Sequence, residues 1–151
     1  MIRVTSPAIS VVVISRNEGS YLRSTIEGLE ATLPANSEIV IVDDGSVDRS
    51  TDFLTNYRSV RLIVNKDLGV AKARNLGARQ TTSEMIVFAD AHISVPPCWW
   101  EPLWDALARA NIGAAAPAIS MLGDDTLKGY GLSLTGPDLD ADWLPKTDRE
   151  P

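Results

Sequence analysis

Four short runs constrain this chain more than anything else in it. Residues 9–15 (ISVVVIS), 38–43 (EIVIVD), 60–65 (VRLIVN) and 84–89 (EMIVFA) are mostly unbroken in their apolar character. A strand with one wet face alternates apolar and polar residues, so unbroken runs call for cover on both faces. Helical patterns lie between them. Residues 18–31 place Tyr21, Leu22, Ile26 and Leu29 at helical spacing. Residues 48–57 read as a short helix with Ser46 or Asp48 as its cap, and residues 70–78 read as a helix after Gly69. A helix over 99–110 and a fifth strand over 112–118 complete the series. Strands alternating with helices predict βαβ units: an α/β fold with a mostly parallel sheet and helices on both faces.

The rest of the sequence narrows the function. The 151 residues suit one domain large enough to bury a core without disulfides or a structural metal. A net charge of −6 argues against a nucleic-acid partner, whose phosphates need basic protein. The longest apolar run, residues 85–89, is far short of the roughly 20 residues of a membrane helix. Met1-Ile2-Arg3-Val4 lacks the pattern of a signal peptide, and a lone cysteine, Cys98, suits a reducing compartment. A cytoplasmic location is therefore expected. From Asp124 to Pro151 seven acids face three bases, so four of the six net negative charges fall in the last 28 residues, among glycines and prolines. The expected organisation is an α/β domain over 1–120 and an acidic segment over 121–151, a loop or the start of a further half.

In an open parallel sheet, ligands bind at the carboxyl ends of the strands. Three of those ends carry chemistry. Asp90-Ala91-His92 delivers a carboxylate and an imidazole, and residues i and i+2 of an extended segment point the same way. That pair suits Mn²⁺ or Mg²⁺ with positions left for phosphate oxygens; a structural zinc site wants more sulfur and nitrogen. The same tripeptide also fits a strand-end turn whose Asp caps the next element. Asp43-Asp44-Gly45-Ser46 offers two carboxylates to a base N–H or to ribose hydroxyls, or else makes a tight turn. Ser15-Arg16-Asn17-Glu18 offers Ser15 and Glu18 to base and ribose, or else Asn17 or Ser15 caps the following helix.

Further along, Ala71, Ala73, Gly77 and Ala78 let the helix over 70–78 pack closely on the sheet. Arg74 then points toward the cleft, where its fork of donors suits phosphate or ribose oxygens, while Lys72 reads as solvated surface. His92 is the only histidine, so a Ser-His-Asp triad would have to use it. Cys98 reads as buried packing, and Trp99, Trp100 and Trp104 read as core.

Together, ISVVVISRNEGSYL, EIVIVDDGSVDRS and NKDLGVAKARNLGARQTTSEMIVFADAH resemble the nucleotide-binding half of family 2 glycosyltransferases with the GT-A fold, collinearly over residues 9–103. Asp90-Ala91-His92 stands at that family's Asp-x-Asp motif. With Trp100-Glu101-Pro102-Leu103 it is similar to the polypeptide N-acetylgalactosaminyltransferase branch. The resemblance implies donor binding by Ser15, Asn17, Glu18, Arg74, and Asp43 or Asp44, the last pair reading the base, usually uracil. It implies a divalent metal at Asp90 and His92, and sugar transfer from a nucleotide-sugar, in the usual case a UDP-sugar, to an acceptor hydroxyl. In the family a second half supplies the acceptor site and, in inverting members, the base. This chain is therefore expected to be a fragment, and no catalytic base is assigned.

Two other doubly wound classes fit poorly. A phosphoreceiver domain needs its acid pair after the first strand, and a dinucleotide-binding dehydrogenase needs G-x-G-x-x-G there; the residues present are Ser15-Arg16-Asn17-Glu18-Gly19. The rival from another class is a catalytically incomplete donor-binding or protein-interaction remnant of the same fold.

Overall fold

The structure is a computed structural model that describes residues 8–57, 59–121, 124–135, 137 and 140–144. The chain divides into two compact units, Met1–Trp99 and Trp100–Pro151.

The first unit is an α/β layer. Its elements run β1 (Ile9–Ser15), α1 (Ser20–Thr32), β2 (Glu38–Asp43), a 3₁₀ turn (Asp52–Asn56), β3 (Val60–Val64), α2 (Val70–Ala78) and β4 (Met85–Asp90). The four strands form one parallel sheet in the order β3-β2-β1-β4. From β1 the chain steps by α1 to β2 on one side. From β3 it returns by α2 across the sheet to β4 on the other. Right-handed crossovers in opposite directions place α1 and α2 on opposite faces. The reversal also leaves a crevice between the carboxyl ends of β1 and β4, where ligands of open α/β sheets bind.

Both faces of β1 and β2 are sealed. Ile9, Val11, Val12, Val13, Val40, Ile41 and Val42 have no exposed surface. Each such side chain contributes about 1.5–3 kcal/mol by leaving water. Helix α1 buries Leu22, Thr25, Ile26 and Leu29, one stripe at i, i+3, i+4 and i+7. Helix α2 sets Ala73 against Val12, Val40 and Val42. It comes so close that a Cβ built on Gly77 would stand 2.3 Å from Val12 Cγ1.

The second unit contains α3 (Glu101–Leu107) and four strands: β5 (Ile119–Met121), β6 (Asp124–Gly129), β7 (Leu132–Thr135) and β8 (Asp140–Trp143). They pair antiparallel as β5 with β6 and β7 with β8. The acidic segment thus supplies β6, β7 and β8.

Several local expectations need correction. Residues 112–118 form no strand; the Gly113-Ala-Ala-Ala-Pro117 run lacks β-branched residues and Pro117 removes a ladder donor. The helix expected over 48–57 is only the 3₁₀ turn at Asp52–Asn56, because Arg49 sits at φ 63° and Asp48 bonds the Ser50 N–H in a turn of its own. The helix expected over 99–110 shortens to Glu101–Leu107, with Pro102 in its first turn. Cys98 is exposed at φ 59°, not packed inside. Trp99, Trp100 and Trp104 are half-buried.

Candidate functional site

The sheet register brings the predicted strand ends level. Ser15 pairs with Asp43 across β1 and β2, and Ile14 pairs with Asp90 across β1 and β4. The backbone continues the ladder one step beyond, with Asp44 N–H donating to Ser15 O at 2.9 Å.

The loops after β1 and β2 are latched reciprocally. Asn17 N–H donates to Ser46 Oγ (2.9 Å), and Val47 N–H donates to Asn17 Oδ1 (2.8 Å). Asn17 sits at φ 57°, a left-handed conformation that Asn tolerates better than most residues. Neither Asn17 nor Ser15 caps α1. That helix starts after Gly19, whose N–H donates to Asp48 Oδ2 at 2.9 Å. Asp48 Oδ1 also accepts from Ser50 N–H at 3.0 Å. The Ser50 hydroxyl beside it, and then these backbone donors, hold the Asp48 carboxyl below the usual carboxylate range.

The two adjacent acids divide their tasks. Both are buried, each 4% exposed. Asp44 Oδ1 accepts from Leu68 N–H (2.7 Å) and Oδ2 from Gly69 N–H (2.8 Å), which holds the entry to α2. Asp43 accepts only at Oδ1, from Ser46 N–H at 2.9 Å, which closes the turn at Gly45 (φ 92°). Its Oδ2 makes no hydrogen bond among the described residues.

At the end of β4, Ala91 is buried while Asp90 and His92 on either side are exposed, so both side chains face the open side. Asp90 Oδ1 is 3.2 Å from Arg74 Nη2, and His92 Nδ1 is 3.1 Å from Glu18 Oε2. Lys72 is exposed. Two buried polar atoms of the cluster, Ser15 Oγ and Arg74 Nε, have no hydrogen-bond partner among the described residues. Arg16 pairs with Asp67 at 3.0 Å.

Three residues that sequence reasoning gave no site role hold this arrangement: Ser46, Asp48 and Thr25. Thr25 Oγ1 accepts from Ile93 N–H (3.0 Å) and faces the carbonyls of Ala91 and Ile93 at 3.0 and 3.1 Å. Its signal in the sequence is a lone polar residue in the buried stripe of α1.

A divalent cation fits the donor set. Asp90 offers a carboxylate, and with Nδ1 turned to Glu18, His92 has Nε2 left as a ligand. Among the described residues no group of three or more His, Cys, Asp or Glu gathers as a metal cage. No helix of the described residues is long and apolar enough to cross a membrane.

Comparison with known proteins identifies the family and the fold. The sequence profile of the family described as Glycosyl transferase family 2 matches residues 10–146. The chain is 32% identical over 133 residues to human polypeptide N-acetylgalactosaminyltransferase 15, covering 82% of this chain and 21% of that protein. It is 34% identical over 134 residues to mouse polypeptide N-acetylgalactosaminyltransferase 4, with 82% and 23% covered. The chain thus spans about a fifth of the length of these curated relatives. Among solved structures, the mannosyltransferase PcManGT from Pyrobaculum calidifontis, in complex with GDP-Man and Mn²⁺, superposes with a TM-score of 0.65 at 22% identity, covering 73% of this chain and 35% of that one. S. aureus TarS 1-349 in complex with UDP-GlcNAc gives 0.57 at 27% identity, covering 67% and 30%.

Proposed function

Because the chain belongs to glycosyl transferase family 2 and has the α/β GT-A fold, we propose that it is the donor-binding part of a metal-assisted glycosyltransferase. The substrate is a nucleotide-sugar, in our reading a UDP-sugar, and the product is a glycoside of an acceptor hydroxyl. The observation that carries this is that the carboxyl ends of β2, β1 and β4 lie level on neighbouring strands, with Asp90 and His92 each paired to a residue of another element.

The residues divide as follows. Asp43 reads the base with the oxygen that its own turn leaves unused; Asp44 holds the loop behind it. Ser15 Oγ and Arg74 Nε, buried without partners, take donor oxygens at the crevice floor. Asn17 and Glu18 line the crevice from the β1 side. Asp90 and His92 hold Mn²⁺ or Mg²⁺. A divalent cation there supplies charge against the negative charge that develops on a departing diphosphate. The lone cysteine supports a reducing, cytoplasmic setting, which fractionation of the native cells tests.

Calorimetric titration of UDP into the chain, with and without Mn²⁺, tests the reading. Binding that needs metal and is lost in Asp90→Ala is the expected result. Absence of binding under both conditions would sink the donor-site reading and leave a non-binding remnant of the fold.

A further inference from the structure

His92 is gripped from two directions by one stretch of chain. Glu18, just ahead of α1, reaches its ring with Oε2 3.1 Å from Nδ1. Thr25, two turns into the same segment, fixes the backbone on both sides of it through Ala91 O, Ile93 O and Ile93 N–H. Glu18 is itself set in place. Its neighbours Asn17 and Gly19 donate their N–H groups to Ser46 Oγ and Asp48 Oδ2, and its own carbonyl accepts from Tyr21 N–H at 3.1 Å. The Glu18 side chain is 22% exposed against 59% for His92, so the fixed carboxylate sits beneath the more open ring.

A carboxylate only accepts, so the Nδ1 that faces it carries the proton. Nε2 is then the lone-pair nitrogen. Metal-bound histidines are commonly oriented this way, with the second ring N–H given to a carboxylate that fixes tautomer and ring plane and raises ligand basicity. We propose that Glu18 is a positioning residue for His92 that presents Nε2 to the divalent cation, and does not itself contact base or ribose. The inference rests on the reading of Asp90 and His92 as metal ligands.

Because His92 is the only histidine, the tautomer can be read directly. In a tag-free, ¹⁵N-labelled chain without metal, at a pH of about 8.5 where an ordinary imidazole is neutral, long-range ¹⁵N–¹H correlation should show the Nδ1–H form. Glu18→Ala should move it toward Nε2–H with unchanged circular dichroism. A wild-type ring protonated on Nε2 would overturn the proposal. The consequence is read by electron paramagnetic resonance of Mn²⁺ in the presence of UDP. Glu18→Ala should weaken Mn²⁺ affinity by about 10–100-fold, and Glu18→Gln, which keeps an acceptor oxygen, by less. In a His92→Ala background the Glu18 substitution should cost nothing further. Equal loss of UDP affinity with and without metal, or a further loss in that background, would overturn the positioning role. Mn²⁺ binding by the wild type that ignores Glu18 would remove the positioning role alone. No Mn²⁺ binding by the wild type would remove the metal reading and this inference with it.

Discussion

Arg74 Nη2 lies 3.2 Å from Asp90 Oδ1, so a cationic side chain faces the carboxylate proposed to hold the metal. The two charges compete for one oxygen. The pair is largely open to solvent, at 40% and 60% exposure, and such pairs contribute about 0.2–1 kcal/mol. Arg74→Met should therefore raise Mn²⁺ affinity in the absence of nucleotide, by at most about fivefold. The same variant should weaken UDP binding when Mn²⁺ is present, because the released guanidinium is then a donor to phosphate oxygens. Calorimetry of both titrations checks this. Unchanged Mn²⁺ affinity would show that the pair does not hold Asp90.

Asp43 and Asp44 are neighbours in sequence and equally buried, yet their substitutions should separate. Asn at 44 can accept from only one of Leu68 N–H and Gly69 N–H, and its amide then faces the other donor. Hydrogen bonds to a charged group contribute about 1.5–3 kcal/mol, so Asp44→Asn should lose on the order of 2–3 kcal/mol of stability. Asn at 43 still accepts from Ser46 N–H, so Asp43→Asn should cost about 1 kcal/mol or less. Its defect should appear in UDP affinity. Urea melts beside UDP titrations distinguish the two. A large stability loss at 43 with none at 44 would reverse the assignment.

The parallel sheet is legible in the sequence because its central strands bury both faces, and residues such as Val12 and Val40 have no polar alternative to the core. The strand ends are legible for a similar reason: carboxylates and an imidazole right after apolar runs stand out. What stays hidden depends on groups distant in sequence. Asp48 holds Gly19, the residue before α1, from another loop 29 residues away, so no local pattern reveals it. Thr25 reads as a helix residue of no consequence until the fold brings Ala91 and Ile93 beside it. The strands β5 to β8 carry Asp-rich segments such as DDTLKG and DADW, where antiparallel pairing and not apolar periodicity makes the ladder. Cys98 reads as packing in the sequence, whereas the residue sits exposed at positive φ.

Gly77 shows how closely α2 lies on the sheet. In an exposed helix interior, Gly→Ala gains about 1 kcal/mol. Here the new methyl would meet Val12 Cγ1 at 2.3 Å and Val42 Cγ2 at 3.2 Å. Overpacking costs about 1–3 kcal/mol, so Gly77→Ala should be destabilising by up to about 2 kcal/mol net. Val12→Ala removes the clashing atom. Gly77→Ala should therefore become neutral or stabilising in that background, a non-additivity that a double-mutant cycle in urea reads directly. Additive effects would mean that α2 can shift off the sheet without cost.

Asp48 gives the latch between the β1 and β2 loops a pH signature. Its carboxyl titrates below the ordinary aspartate value of 3.8, through the Ser50 hydroxyl first, then the Ser50 and Gly19 N–H groups that favour the charged form. A folded-state pKa below the unfolded one means that the unfolded chain binds the proton more readily. The stabilisation is then fully present above the unfolded value and is lost as pH falls through the folded one. Asp48→Asn should therefore lower Tm at pH 7, and the gap between wild type and variant should narrow only as pH falls below about 3.8. The substitution keeps one acceptor oxygen, so the surviving bond to either Gly19 or Ser50 leaves α1 formed while the charge-dependent part is removed. Melting curves from about pH 2.5 to pH 7, taken in about 0.15 M salt to screen remote charges, isolate that part. A gap that stays constant across the acid range would mean that shape and not charge at Asp48 holds the start of α1.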